Sequence, residues 1–423
     1  MNEFDRDLLS LLRDIGFSVM SMLFAWLVNQ VTEEFKTSGW VIHRRPLIKY
    51  ITIFGYLKIP SPYLWNRKFK KGVSLVAEKF LINHSNASLG VKRALTEFGI
   101  EESFQGAAKR FEEHYGFAIE KNALSRKVKT IASLGQEYIE SRFEKLRTEK
   151  ANNEFFKQEF PRLIVELDGC QIRTGINFLS EQLELTQKRK IKKKTRKIDW
   201  REVRVGFARQ VNNKLERTFV AKMDKYPVLA QQLKSAAIDQ GWGQKTEVTG
   251  IGDGGNGLRE ALELEFPKFN FILDRIHLKQ HIYQAADAVE LTGINREMWT
   301  SHLISLIDRG KAKKAIKFIN RYFHAHKGRK KLENLSNYLE RFQDACYYNL
   351  YKIQGLPIGS GEIESAHRYI PQKRLKLPGA TWHPDSINPM LALRIIRAND
   401  WWNDFWNYLA QNPMVEIPKF EGN

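Results

Sequence analysis

The sequence predicts a mixed α/β protein preceded by a mainly helical region. Three observations carry that prediction. Residues 163–167 form a short, nearly continuous apolar run that stops at Asp168 and Gly169, as a buried strand does. Two alternating runs follow, and strand and helix patterns then take turns up to residue 273, an order expected of a mixed sheet. Residues 285–354 are helical in pattern throughout, so a helical block interrupts the sheet domain before GSGEIE at 359–364.

Composition narrows the class. The chain has 423 residues, 43% hydrophobic and 27% charged, enough for about two or three globular domains. Its 68 Lys and Arg against 48 Asp and Glu leave a formal charge of +20. That surplus favours a polyanionic partner, nucleic acid ahead of an anionic membrane surface. Two cysteines, Cys170 and Cys346, can build neither a disulfide framework nor a cysteine-ligated zinc site, and they favour a reducing, cytoplasmic compartment. Residues 15–28 imitate a membrane span, but they include Gly16, Ser18 and Ser21 and fall short of the roughly 20 apolar residues a bilayer crossing needs. Glu3, Asp5 and Asp14 ahead of them do not suit a signal peptide. No membrane partner is expected.

Along the chain, Leu8, Leu9, Leu12, Ile15, Val19, Leu23, Leu27 and Val31 recur at three and four residues, which predicts an amphipathic helix over 5–35. It reads as a core helix, with a partner-pairing helix as the alternative. Residues 44–65 carry Pro46, Pro60 and Pro62 around Ile51, Ile53, Phe54 and Tyr56, which predicts one or two short strands and closes a first segment, 1–85.

Residues 86–158 form a second segment. Three short helices are expected at 91–98, 103–114 and 120–132, broken at Gly99 and Gly116. Phe104, Ala107, Ala108 and Phe111 share one face of the middle helix, and Leu124, Val128 and Ile131 share one face of the third. Both stripes meet across a tight turn, which suits a helix-turn-helix. Its third helix then presents Lys121, Asn122, Ser125, Arg126 and Lys129, residue types that bond phosphates and base edges. A plain three-helix bundle with a solvated basic face fits the same pattern. Residues 136–157 read as a charged connector helix.

The sheet domain is expected over 159–410, with its helical insertion at about 285–355 and a tail at 411–423. Val203, Val205 and Phe207 alternate in one strand, and residues 218–221 continue in the next after Asn212 and Asn213. Residues 188–197 hold eight basic side chains in ten. Such a run reads as a solvated loop able to add phosphate contacts. A strand at 248–251 runs into GDGGNG at 252–257 and a helix at 258–265, and the last strand, 269–273, leads to Asp274 and His277 at the next helix start.

The carboxylates that bear on chemistry stand where strands end: Asp168, Asp253, and Glu362 or Glu364 opening a late helix. Three acids converging from two strand ends and a helix give hard oxygen ligands for two Mg²⁺ ions, the arrangement that activates water in phosphodiester cleavage. A lone Asp before Gly is otherwise a turn residue. Gly252, Gly254 and Gly257 also satisfy GxGxxG between strand and helix, with Asp274 about 20 residues on, the dinucleotide pattern. Against that reading, Asp253 lies between the first two glycines, where its charge would face a pyrophosphate. His277, three residues after Asp274, is equally a hydrogen-bonded interior histidine.

Taken together, Asp168 in LDG, Trp200 and Glu202 in WREVRVG, Asp253 in GDGGNG, Asp274 and His277 in ILDRIH, and GSGEIE followed by Lys373, Arg374 and residues 379–382 resemble bacterial insertion-sequence transposases. The group is the DDE class related to the Mutator superfamily. The likeness spans 163–382, and residues 100–128 resemble the helix-turn-helix region these transposases carry upstream. It implies an RNase H-like α/β catalytic domain with a helical insertion, preceded by a mainly helical DNA-binding region. The implied catalytic and metal-binding residues are Asp168, Asp253 and Glu364, with Mg²⁺ as cofactor and Mn²⁺ as substitute. Glu364 is preferred over Glu362 because the family's glutamate closes GSGxxE, and about 100° per residue puts Glu362 on nearly the opposite helix face. Asp274 and His277 would lie near the site and contact DNA rather than metal. Lys373, Arg374 and Lys376 would steady phosphates.

The implied activity is that of a DNA transposase. It would bind the ends of its mobile element, cleave there with two metal ions and join the freed ends to target DNA. The implied partners are terminal inverted repeats, target DNA and at least a second copy of the chain, in the bacterial cytoplasm at the nucleoid. Two alternatives keep a different chemistry: an inactive RNase H-like DNA-binding protein, and a dinucleotide-dependent enzyme using residues 252–257. The basic surplus gives a direct expectation. Affinity for DNA should fall steeply between low and physiological salt as counterions are released, and a flat response in a binding titration would exclude nucleic acid as the partner.

Overall fold

The computed structural model describes residues 2–82, 86–151, 158–183, 190–321 and 328–413. The chain divides into two compact units, Met1–Gly135 with Trp401–Asn423, and Gln136–Asp400.

The first unit opens with α1 (Asn2–Thr37), followed by β1 (Trp40–Arg44), β2 (Leu47–Thr52), β3 (Gly55–Pro60), β4 (Tyr63–Asn66), β5 (Lys71–Ser74), α2 (Leu75–Phe80) and β6 (Asn86–Ala87). The strands make two three-stranded sheets, in the orders β1-β4-β5 and β3-β2-β6. There are more strands here than the one or two expected, because the prolines sit at their ends and leave the interiors free to pair. Met20, Phe24, Val31 and Phe35 of α1 pack on a core of Val28, Leu57, Ile59, Leu64, Leu75 and Val76. Six of the eight residues expected to make α1 a core helix lie elsewhere. Leu8, Leu9, Leu12, Ile15, Val19 and Leu23 are exposed, because the helix is apolar on two faces and its sheets cover only one.

Next come α3 (Leu89–Gly99), α4 (Phe104–Tyr115) and α5 (Lys121–Ala151). Ser88 and Ser103 cap the first two, their hydroxyls accepting from Val91 N at 3.3 Å and Gly106 N at 3.0 Å. Gly116 ends α4 in the left-handed region, φ 75°. Gly99 lets α3 approach α5, since a Cβ there would stand 2.9 Å from Val128. Ala107, Phe111, Leu124, Val128 and Ile131 are buried between the three helices. α5 is a single helix of 31 residues, where a short helix and a separate connector were expected. Its apolar stripe continues without a break through Leu134, Ile139 and Phe143, so the boundary expected at 158 does not fall between the units. The last helix, α15 (Trp402–Gln411), belongs to the first unit rather than to the sheet domain.

The second unit is built on one five-stranded mixed sheet. In chain order its strands are β7 (Arg162–Leu183), β8 (Lys190–Gln210), β9 (Thr218–Lys222), β10 (Glu247–Gly252) and β11 (Phe269–Leu273). They lie in the order β11-β10-β7-β8-β9. β7, β8 and β9 pair antiparallel, while β10 and β11 run parallel to β7. Leu163, Ile164 and Val165 are buried, which explains their unbroken apolar run. Helices α6 (Tyr226–Asp239), α7 (Leu258–Glu265) and α8 (Arg275–Ala288) alternate with the later strands. The insertion consists of α9 (Gly293–Asp308), α10 (Ala312–Asn320), α11 (Arg329–Arg341) and α12 (Tyr348–Ile353). After it come α13 (Gly361–His367) and α14 (Ile387–Ala398).

One feature departs from the expected layout. Residues 190–197 are not a loop but the start of β8, paired with β7 out to Leu183↔Lys190; residues 188 and 189 lie outside the described ones. β9 reaches only Arg204 on one side and β10 only Glu166 on the other, so from Cys170↔Val203 outward the hairpin is a two-stranded ribbon. At about 3.4 Å per residue it extends roughly 45 Å. Trp382 fastens its base: Trp382 N donates to Arg173 O at 3.1 Å and Gly175 N to Trp382 O at 2.8 Å.

The glycine-rich loop after β10 is shaped by packing. Gly254 has φ 76°, and a Cβ there would stand 2.7 Å from the Phe342 ring of the insertion. Gly254→Ala should therefore destabilise the protein by about 1–3 kcal/mol through backbone strain and overlap. An unchanged urea midpoint would show that the insertion does not press on this loop.

Candidate active site

The site follows from strand register. β7 and β10 pair Glu166↔Ile251, and β10 and β11 pair Gly252↔Leu273. Two residues beyond the first pair stand Asp168 and Asp253, and one beyond the second stands Asp274. Three aspartates thus stand level on three adjacent parallel strands: Asp253 and Asp274 just past the ends of β10 and β11, and Asp168 inside β7, two residues past its last pair with β10 and still paired with Val205 of β8, so the strand expected to stop at Asp168 and Gly169 runs on to Leu183. Asp168 and Asp253 are half-buried and Asp274 is buried.

Each aspartate has different surroundings. His367 Nε2 of α13 stands 3.3 Å from Asp168 Oδ2, and Gly169 N donates to Asp168 Oδ1 at 2.7 Å. Burial opposes ionisation of Asp168, but the His367 bond and charge, the Gly169 amide and His277 outweigh it and hold the carboxyl below its usual range. His367 is itself buried. Burial would lower its pKa, yet Asp168 and Cys170 raise it to about 9. Asp253 Oδ1 accepts from Gly255 N at 2.8 Å, and Tyr338 Oη donates to Asp253 O at 2.5 Å. That use of the Gly255 amide removes a donor a pyrophosphate would need, which counts against the dinucleotide reading.

Asp274 is a fastening rather than a surface group. Oδ1 caps α8 through Ile276 N at 2.6 Å, and Oδ2 accepts from Ser360 N at 3.1 Å and from the Ser360 hydroxyl. Arg275 N also donates to Ile358 O at 3.0 Å. The expected DNA contact at Asp274 is therefore corrected: buried, it ties ILDRIH to GSGEIE. His277, half-buried in the first turn of α8, is close enough to influence Asp168.

α13 is seated by buried charge. Arg209 of β8 is buried and forks onto Glu362, Nε to Oε2 at 2.9 Å and Nη2 to Oε1 at 2.6 Å, with Arg217 at 3.4 Å. Glu166, also buried, accepts from Ile363 N at 3.2 Å. Glu362 is thus committed to structure, while Glu364 is exposed. Among the described residues no three His, Cys, Asp or Glu side chains already form a metal-holding group.

The basic residues expected to meet phosphate divide. Lys373 and Lys376 are exposed. Arg374 is buried, its guanidinium 4.7 Å over the Trp382 ring, and burial and Arg394 lower its pKa to about 10. It is corrected to a packing residue that braces the base of the ribbon. α13 continues into a wide π-type turn at Arg368–Gln372 containing Pro371, which has no amide hydrogen to give. Buried Arg394 bonds the carbonyls of Tyr369 and Ile370 there. In the first unit Lys121, Asn122, Arg126 and Lys129 are exposed and Ser125 half-buried along the start of α5. Lys127, beside Lys92 and Arg126, has its pKa lowered by burial and by those charges.

A model of an uncharacterised protein family, UPF0236, matches residues 1–399. The chain belongs to that family. No curated protein matches the chain. The family match leaves out residues 400–423, so the ribbon, α13 and the three aspartates all fall inside it.

Glu166, Arg209 and His367 were missed in the sequence. Glu166 had a signal, an acid inside the apolar run LIVELDG, which a buried strand tolerates only with partners. His367 had a weaker one, one helical turn after Glu364. Burial first, then the charges of Glu362 and Asp274, push Glu166 up to about 8, against the Ile363 amide and Arg209. The native state therefore holds a proton that the unfolded chain releases above its ordinary carboxyl range, and stability falls as pH rises towards 8. Glu166→Gln should remove that dependence. Its urea midpoint, relative to wild type, should be higher at pH 8 than at pH 5.5, and parallel profiles would exclude a protonated Glu166.

Proposed function

We propose that the protein is a DNA transposase with an RNase H-like catalytic unit, which binds the ends of its mobile element and cleaves and joins DNA strands there. The observation that carries the reading is the level placement of Asp168 and Asp253 on adjacent parallel strands, each two residues beyond the pair Glu166↔Ile251, with Glu364 exposed on α13, the helix whose His367 meets Asp168. The strand order supports it: in chain order the sheet runs 3-2-1-4-5, antiparallel through the first three and parallel in the last two.

The donor set fits a hard divalent cation, since all three groups are carboxylates and Asp168 is held ionised. Asp168, Asp253 and Glu364 would hold Mg²⁺, or Mn²⁺ in its place. The bound ions supply activation of water and stabilisation of the leaving oxygen. The chain's own residues do the rest. His367 fixes the Asp168 carboxylate, Asp274 and Glu166 fix the start of α13 and so Glu364, and Lys373 and Lys376 neutralise phosphates beside the scissile bond.

Binding falls to other elements. The exposed Lys121, Asn122, Arg126 and Lys129 of α5 suit a recognition helix. The ribbon suits a duplex groove, because a two-stranded β-ribbon fits the major groove and six of residues 190–197 are Lys or Arg. Trp200, 60% exposed near its base, adds a stacking surface.

The test is nicking of a supercoiled plasmid carrying the gene with its flanking DNA, in Mg²⁺ or Mn²⁺. Wild type should cut at inverted repeats, while Asp253→Asn and Glu364→Gln should cut at background level and still shift the same DNA in a gel. Wild-type cutting by either variant would sink the triad. Tight binding by a wild type that never cuts would favour the inactive DNA-binding protein.

A further inference from the structure

We infer that the outer face of α1 is a coiled-coil seam that pairs with α1 of a second copy of the chain. Leu8, Leu12, Ile15, Val19, Met22 and Trp26 follow one another at alternating intervals of four and three residues, the a and d positions of three heptads. All six are 43–65% exposed. The seam begins after Asp5 and stops at Asn29, the polar residues at the next positions on either side. Met20, Phe24 and Val31 point the other way, onto the unit's own core, so the seam is not the back of an intramolecular contact.

A helix of the same spacing is the occupant such a seam fits, because knobs enter holes only where the partner repeats at the same period. A second copy supplies it. The positions flanking the seam include Leu9, Gly16, Ser18, Leu23 and Ala25, none of them charged, so two copies meet without like-charge repulsion. With the apolar neighbours Leu9, Leu11 and Leu23, and roughly 100 Å² on each half-exposed side chain, a copy offers about 900 Å², against the ~800 Å² per partner of a stable interface. A lipid surface fits less well. α1 is long and apolar enough to cross a membrane by composition, but it carries six acidic residues against three basic ones, the opposite of an interfacial helix.

The experiment is sedimentation equilibrium of the full-length protein, free of nucleic acid, at micromolar concentration. Wild type should be a dimer. Val19→Glu should be a monomer with unchanged helical circular dichroism, and Leu12→Arg, one heptad away, should repeat that result. Ser10→Glu, exposed but off the seam, should leave the dimer intact. A monomeric wild type, or a Val19→Glu protein that stays dimeric, would overturn the assignment. So would a wild type that is monomeric in solution and pellets with neutral phosphatidylcholine vesicles, which would give the face to lipid. The inference stands apart from the catalytic reading: cutting by a monomer would remove the interface alone, and a dimer that never cuts would remove the catalysis alone.

Discussion

The seating of α13 by buried polar groups is the constraint on which the rest of the site depends. Arg209, Glu166 and Asp274 are all buried in the second unit, and each has its partner at or just before α13: Glu362, Ile363 N and Ser360. A buried ionisable group left without its partner costs several kcal/mol. Any shift of α13 would expose all three groups to that penalty together. A seven-residue helix could not hold its place by propensity alone. Here it is pinned at three points within its first turn, and Glu364 is the acid left over. The same logic explains His367, which the helix brings down beside Asp168. One end of α13 is thus fixed by β7, β8 and the start of α8, and its far end lies against the first strand's aspartate.

Register supplies the other half of the geometry. Parallel strands hold their ends level as long as pairing is unbroken, and a slip of one residue would turn each aspartate to the other face of the sheet. The antiparallel hairpin behaves differently. It leaves the sheet after Arg204 and becomes a ribbon whose base is held by Trp382, the same ring over which Arg374 lies. The turn carrying Lys373 and Lys376 and the root of the basic ribbon therefore share one anchor within the unit.

How far the sequence could be read follows from which forces act locally. The helices α3 and α4 were legible to within about two residues, because Ser88, Ser103 and Gly116 are caps whose chemistry is local. The five strands of the sheet were legible from their apolar runs. The continuity of α5 was not, since Gly135 looks like a breaker and costs only about 1 kcal/mol in a helix whose buried stripe continues past it. The ribbon was hidden for a related reason. Lysine-rich sequence carries no strand period, and its extended form comes from pairing with β7, a long-range fact. Asp168 and Asp253 stood out by their context, but Glu166, Arg209 and His367, which surround Asp168 and α13, did not. Arg374 shows the limit most plainly: a cation counted as surface in a string of basic residues is buried once Trp382 folds over it.

Charge is also divided along the chain. α1 carries a surplus of acids, although the chain as a whole is at +20; the basic density lies in the first turns of α5, in residues 190–197 and around Lys373 and Lys376. Acids near the two ends of α1 repel a polyanion, so nucleic acid crowding the basic surfaces would not compete for the outer face of α1. A seam without charges at its flanks is also insensitive to the counterion release that governs phosphate binding. Self-association through α1 and binding through the basic elements would therefore respond to different variables, the first to protein concentration and the second to salt.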